Sequence, residues 1–426
     1  MWLLLMASVL NWQGEQPGIS EQTRVEFVLL DVVAWGKKKV TVTDLKREEF
    51  VVTENGKPVE VSFFELLDYR PPQRGLSTAE MLARERERPL QQIILALDFE
   101  SVVRDDVRHA FHNLRNFINE LNPYYRYQID LYSLEHGSLT RGFTEDLGDV
   151  LGALESYADG FLGRRGRTGS WDGNNPMFGD SSSGSGNGFS GRSRSSSLIE
   201  DVNDLNSLAT ALEDCLPLRE AGCRCMSEAT QEFRYEQRER SERVIGELES
   251  MAYKFDDSSQ LKTMLLVSPG FALHNLRSAE QLLTEYFRRS SACGNRLAGL
   301  GKMRIDADFQ RVTHACIKNR VIFHTFDIFN DRPSGENRRQ LGSAYSSYDR
   351  EMASGLRELA EESGGTFNRA NRLKNAMDKV LERNSYFYVL GYTSPANTAR
   401  NTYRTIKVKV KRKGVKLRHR GGYYGG

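Results

Sequence analysis

The stretch Gln91-Gln92-Ile93-Ile94-Leu95-Ala96-Leu97-Asp98-Phe99-Glu100 constrains the fold of this chain more than any other. Its apolar run is too short for a helix, does not alternate, and ends in an acidic, turn-prone step. That pattern predicts a strand buried on both faces of a parallel sheet. From Arg104 to Leu121, the residues Val107, Phe111, Leu114, Phe117, Ile118 and Leu121 recur at helical spacing. A second strand follows at Tyr127-Gln128-Ile129-Asp130-Leu131-Tyr132. Strand, helix and strand with short connections make a βαβ-type unit. Asp98 then falls at the carboxyl end of its strand, where open α/β sheets hold their ligands.

The same reading extends over residues 91–385. Further buried strands are expected at Leu261–Ser268 and Arg320–Asp327, and an edge strand at Ser138–Phe143. Helices are expected at about 145–157, 198–212, 227–253, 278–290, 304–317, 352–362 and 371–383. The fold class is therefore α/β, a doubly wound and mostly parallel sheet. Both ends of the chain read differently. Strands are expected in 21–70 at Val25–Val33, Lys39–Thr43, Phe50–Thr53 and Val59–Phe64, the last two around an Asn55-Gly56 hairpin turn. Three more fall in 386–426, at 386–392, 403–411 and 415–418. Neither set suffices for a stable sheet. Together they predict one small antiparallel sandwich, with Ile406, Val408 and Val410 packed on Val59, Val61 and Phe63.

Between these units lie segments of other character. Residues 71–90 form a charged linker around Ala83-Arg84-Glu85-Arg86-Glu87-Arg88-Pro89. Residues 163–197, dominated by Gly, Ser, Arg and Asn, carry too little apolar surface to fold and predict a disordered insertion. Residues 1–20 open with Met1-Trp2-Leu3-Leu4-Leu5-Met6-Ala7-Ser8-Val9-Leu10, an apolar run like the core of a secretory signal, although no positive segment precedes it. The expected location is extracytoplasmic, periplasmic or secreted. Cys215, Cys223, Cys225, Cys293 and Cys316 then allow two disulfides and one leftover thiol, with connectivity open. The Cys223-Arg224-Cys225 pair lacks a partner pair at zinc spacing.

Several motifs carry a resemblance. They are Leu-Ala-Leu-Asp (95–98) before a helix, Leu-Leu-Val-Ser-Pro-Gly (265–270), Val-Ile-Phe-His-Thr-Phe-Asp (321–327) and Leu-Arg-Glu-Leu-Ala-Glu-Glu-Ser-Gly-Gly-Thr-Phe (356–367). The front segment 42–59 and the ending, from Tyr-Phe-Tyr-Val-Leu-Gly-Tyr-Thr (386–393) to Gly-Gly-Tyr-Tyr (421–424), belong to the same set. In this order they resemble the bacterial von Willebrand factor A-related proteins of acidobacterial type, over nearly the whole chain except the Gly/Ser insertion. The resemblance implies a metal-ion-dependent adhesion site, in which Asp-x-Ser-x-Ser, a later Thr and a later Asp hold Mg²⁺ or Mn²⁺ through hard oxygen ligands.

This chain departs from that pattern. Asp98 fills the first position, but Glu100 and Val102 stand for the two serines and Ser268-Pro269-Gly270 replaces the later Asp. Val102 and Pro269 bring no side-chain oxygen, so the site is expected to be degenerate and empty. If a cation were held, Asp98, Glu100 and Ser101 would be its ligands. Without one, Asp98 is expected to cap the helix or bond loop amides. Asp98, Glu100, Ser101 and Ser268 are the expected partner face.

His109 and His112 share a helix face without a third ligand, and neither a nucleophile elbow, a His-Glu-x-x-His pair nor a phosphate loop is present. The formal net charge of +2 does not point to nucleic acid. From Asn384 onward there are ten Lys and Arg and no Asp or Glu. Lys407, Lys409 and Lys411 share one strand face, expected to protect a sheet edge, with acidic envelope polymer or lipid headgroups as the alternative contact. The expectation is a non-enzymatic, extracytoplasmic module that binds a protein through loops 98–106 and 268–276 together with the flexible 163–197 insertion. A metal-dependent adhesin using Asp98 and Glu100, and a hydrolase with an unrecognised site, are the alternatives.

Overall fold

The computed structural model describes residues 26–37, 40–70, 89–99, 104–123, 125–164, 205–218, 220–255, 260–274, 276–290, 293, 306–328, 335–369, 372–394 and 402–425. The signal-like segment, Glu100, Ser101, nearly all of the charged linker and the Gly/Ser stretch beyond Arg164 lie outside the described residues.

The run 91–97 forms strand β5 (Gln91–Leu97), and Ile93 to Leu97 are all fully buried. Burial of each large aliphatic side chain here contributes roughly 1.5–3 kcal/mol. Parallel to it lie β6 (Tyr127–Ser133) on one side and β8 (Lys262–Ser268) on the other. Beyond β8 come β9 (Val321–Asp327) and β10 (Phe367–Arg369), both parallel. Beyond β6 comes β7 (Gly137–Ser138), antiparallel and much shorter than the edge strand expected there. The six-stranded order is β10-β9-β8-β5-β6-β7. The chain leaves β5 first to one side and later to the other, so its switch point lies between β5 and β8.

Both faces of this sheet are covered, which is why β5, β8 and β9 read as unbroken apolar runs. Ile93, Leu95 and Leu97 pack with α1 (Arg104–Asn119), α2 (Leu147–Arg164) and α8 (Leu373–Arg383). Ile94 and Ala96 face the opposite layer of α3 (Leu205–Cys215), α4 (Glu220–Lys254), α5 (Arg277–Arg289), α6 (Asp306–Lys318) and α7 (Gly335–Ser363). Two helices are longer than their apolar spacing suggested. Helix α4 runs 35 residues and α7 runs 29, both through polar stretches that carry little periodic signal.

The two ends of the chain meet in two antiparallel sheets, each built from both. The first has the order β13-β1-β11-β4, from β1 (Phe27–Trp35), β4 (Val61–Asp68), β11 (Tyr386–Thr393) and β13 (Lys416–Arg418). The second has the order β14-β12-β2-β3, from β2 (Phe50–Glu54), β3 (Lys57–Val59), β12 (Tyr403–Val410) and β14 (Gly422–Tyr424). They share one core, in which Val28, Leu30, Val32, Tyr388 and Leu390 of the first meet Phe50, Val52, Ile406 and Val408 of the second.

Two local expectations change. The described residues of the Lys39–Thr43 stretch contribute a bridge between Thr41 and Trp35 in place of a strand. Strand β12 pairs with β14 over 403–405 and with β2 over 406–410, so among the described residues the strand partner of Lys407 and Lys409 is β2 alone. Phe63 does not join Ile406 and Val408. It pairs opposite Gly391 in the other sheet and is 39% exposed. The outer side of the first sheet docks on the α/β layer through Val33, Tyr69 and Phe387 against Leu261 and Ile322. Asp31 and Arg320 form an ion pair across the same seam.

Candidate functional site

Asp98 follows β5 at the switch point, and its backbone N–H donates to the Val267 carbonyl at 2.9 Å, extending the ladder by one residue. This turns the carboxylate into the protein. Asp98 is 1% exposed and Ser268, at the end of β8, is 0% exposed. The Ser268 hydroxyl donates to Asp98 Oδ2 at 2.6 Å and accepts the Gly270 N–H at 3.0 Å. On the same carboxylate oxygen lies Arg240 Nη2, at 3.2 Å, while Arg240 Nη1 donates to the Gly270 carbonyl at 2.6 Å. One guanidinium therefore ties the strand end of Asp98 to the turn after β8.

That turn is set by backbone. Gly270 has φ +95°, a left-handed conformation that suits glycine. A Cβ on it would stand 2.5 Å from the Met352 carbonyl oxygen of α7. The next residue, Phe271, donates its N–H to that carbonyl at 2.9 Å. The 268–271 turn is thus fixed on three sides, by Asp98, Arg240 and α7.

Sequence reasoning found Asp98 and Ser268 and missed Arg240. The signal was there. Phe233, Gln237, Ser241, Val244, Leu248 and Met251 form the buried stripe of α4, and Arg240 falls in phase with it. An arginine at a core position needs a buried anion, and the acidic end of β5 supplies one. Asp98 bonds a guanidinium and a hydroxyl, while the loop and helix start it was expected to cap begin at residues 100–103, outside the described residues. Glu100 and Ser101 lie outside the described residues. Asp98 and Ser268, two members of the expected partner face, are both buried in this structure.

Of the expected cation ligands Asp98, Glu100 and Ser101, only Asp98 is among the described residues. Its Oδ2 already carries the Arg240 guanidinium, and a second positive charge beside that oxygen would be repelled. Ser268 spends its proton on Asp98. Among the described residues, no group of three or more His, Cys, Asp or Glu is placed to hold a metal ion.

Neighbouring polar groups at this end of the sheet are also paired. Asp327, at the end of β9, meets Arg369 Nε at 3.3 Å, and Arg369 bridges on to Asp349 at 3.1 Å. The Ser133 hydroxyl, at the end of β6, donates to the Tyr157 hydroxyl at 3.2 Å. His109 and His112 of α1 bond only to Asn113 and Asn116 of their own helix among the contacts described there.

The cysteines form two disulfides, Cys215–Cys225 and Cys223–Cys293, and leave Cys316 as a buried free thiol. Among the described residues, no helix is long and apolar enough to cross a membrane. Comparison of the chain with models of protein families and with the curated proteins gives no match.

Proposed function

We propose that this chain is a non-enzymatic protein-interaction module of von Willebrand factor A type, acting outside the cytoplasm and needing no metal ion. The sequence motifs named above support the type, as does a parallel sheet with one antiparallel edge whose first strand ends in Asp98. The observation that carries the metal-free reading is the Arg240 guanidinium on Asp98, which supplies internally the positive charge that an adhesion site takes from a cation. Loops 98–106 and 268–276 are the partner-facing segments in this reading, with the buried Asp98, Ser268 and Arg240 holding the second of them in shape. Two disulfides suit an oxidising compartment.

The test is affinity capture of envelope proteins on the immobilised chain, with and without EDTA. Capture of the same partner in both arms is expected. Capture lost in EDTA and restored by Mg²⁺ or Mn²⁺ would establish the metal-dependent adhesin instead.

A further inference from the structure

A cavity of about 370 Å³ lies where the α/β layer meets the second antiparallel sheet, within the size range of ligand sites in proteins. Its walls differ in chemistry. Glu358 and Glu362 stand one turn apart on α7, so both carboxylates are on one helix face. Opposite them are Tyr403 of β12 and Tyr424 of β14, with ring centroids 5.1 Å apart and planes at 62°. The Tyr403 hydroxyl donates to Glu362 Oε2 at 2.7 Å, which fixes the carboxylate against the rings. Phe309 of α6, 6% exposed, contributes an apolar wall.

Two carboxylates and two tyrosine side chains lining one space favour positive charge and disfavour negative charge. His274 also lines the cavity and is exposed. Arg420, close enough to act on Tyr403, has its guanidinium engaged with the Leu29 carbonyl at 2.8 Å. Burial and the Glu362 charge both push the Tyr403 hydroxyl pKa up, so the phenol stays a neutral donor there.

We propose that this cavity binds an organic cation, an alkylammonium or guanidinium group, held between the Tyr403 and Tyr424 rings and the Glu358–Glu362 pair. The cation is either a free small amine or a lysine or arginine side chain of a protein, since both present the same group. The inference does not rest on the von Willebrand factor A reading, because Asp98, Ser268 and Arg240 take no part, although His274 of the cavity lies in the 268–276 loop.

Calorimetry tests it with n-butylammonium and n-butylguanidinium as probes and n-butyrate as the anionic control. One-to-one binding of the cations and none of butyrate is expected. Glu362→Gln and Tyr424→Leu should each weaken the cations by about tenfold or more. Glu358→Gln provides the same readout without disturbing the Tyr403 hydrogen bond, should Glu362→Gln fail to fold. An acetyl-Gly-Arg-Gly-amide peptide bound tighter than n-butylguanidinium marks a protein side chain as the natural occupant, and equal or weaker binding marks a free amine. Absence of cation binding, equal binding of butyrate, or full affinity in folded Glu358→Gln and Tyr424→Leu would overturn the proposal.

Discussion

Arg240 and Asp98 are 7% and 2% exposed at their side chains, so removing either one takes a close counter-charge from the buried charge of the other. Breaking such a pair from one side costs about 3–5 kcal/mol, whereas replacing both members with uncharged groups of similar size is far milder. Arg240→Met should therefore lower stability by about 3–5 kcal/mol, and Asp98→Asn combined with Arg240→Met should recover most of the loss. Urea unfolding of the wild type, the single variant and the double variant measures both. A double variant no better than Arg240→Met would show that the guanidinium acts through its Gly270 bond alone. A second buried group, His324, links stability to pH. Its Nδ1 meets the Thr366 hydroxyl at 2.8 Å, and its Nε2 meets the Asn384 amide, whose oxygen is taken by Arg418. Burial, and then the Arg418 charge, hold its pKa well below the ordinary value of 6.5. Below that ordinary value the unfolded chain binds a proton that the folded chain refuses. Stability is thus full above about pH 6.5 and falls as the pH drops, by at most about 1.4 kcal/mol per pH unit for this group. His419, also depressed by burial, adds a fall of the same sign. The urea midpoint should decline from pH 7.5 to about pH 5.5, and His324→Gln should flatten part of that decline.

Among the elements, β11 holds the two ends of the chain together. It lies between β1 and β4, which are not neighbours without it. Its inward tyrosines also tie down the irregular stretch before β2. The hydroxyl of Tyr386 donates to the Thr43 carbonyl at 2.9 Å and that of Tyr388 to the Val42 carbonyl at 3.0 Å. Deleting residues 386–426 would leave β1 and β4 unpaired and β2 with β3 as a lone hairpin, which is marginal in water. The truncated chain should lose the antiparallel strand signal in circular dichroism while keeping most of its helix. A fragment of residues 21–70 should give a collapsed NMR spectrum, and a dispersed one would show that the front strands fold without the tail. Much of this was legible in the sequence, for local reasons. Buried runs such as Ile93–Leu97 and the alternation of Ile406, Val408 and Val410 with lysines report their own surroundings. Partner choice was not legible. Lys409 pairs with Val51 and Gly391 with Phe63, more than 300 residues apart, and nothing in either stretch names the other. The Asp98 site shows the same division, since its aspartate sits on a readable strand and its counter-charge lies on a helix 142 residues away.

Across the whole molecule, the cysteines allow the pairing to be checked without any knowledge of function. Both disulfides lie in the helical layer that covers one face of the parallel sheet. Gly222 lets α4 start against the end of α3, for a Cβ there would stand 2.5 Å from the Cys215 carbonyl oxygen. That approach places Cys225 on Cys215, ten residues away, and leaves Cys223 to reach Cys293 across a separation of 70. Chain entropy makes the longer loop the more stabilising, at about 4 kcal/mol against about 3 kcal/mol for the shorter. Cys223→Ser with Cys293→Ser should therefore lower the denaturant midpoint more than Cys215→Ser with Cys225→Ser. Cys316 has a different fate. It is 1% exposed, and burial pushes its thiol pKa far up, so the reactive thiolate is suppressed in the folded chain. Iodoacetamide should label no cysteine in the native protein, one after unfolding without reductant, and all five after unfolding with reductant. Peptide mapping should place the single label on Cys316. A label on Cys223 or Cys293 in the unreduced, unfolded sample would mean that the long-range disulfide is not formed.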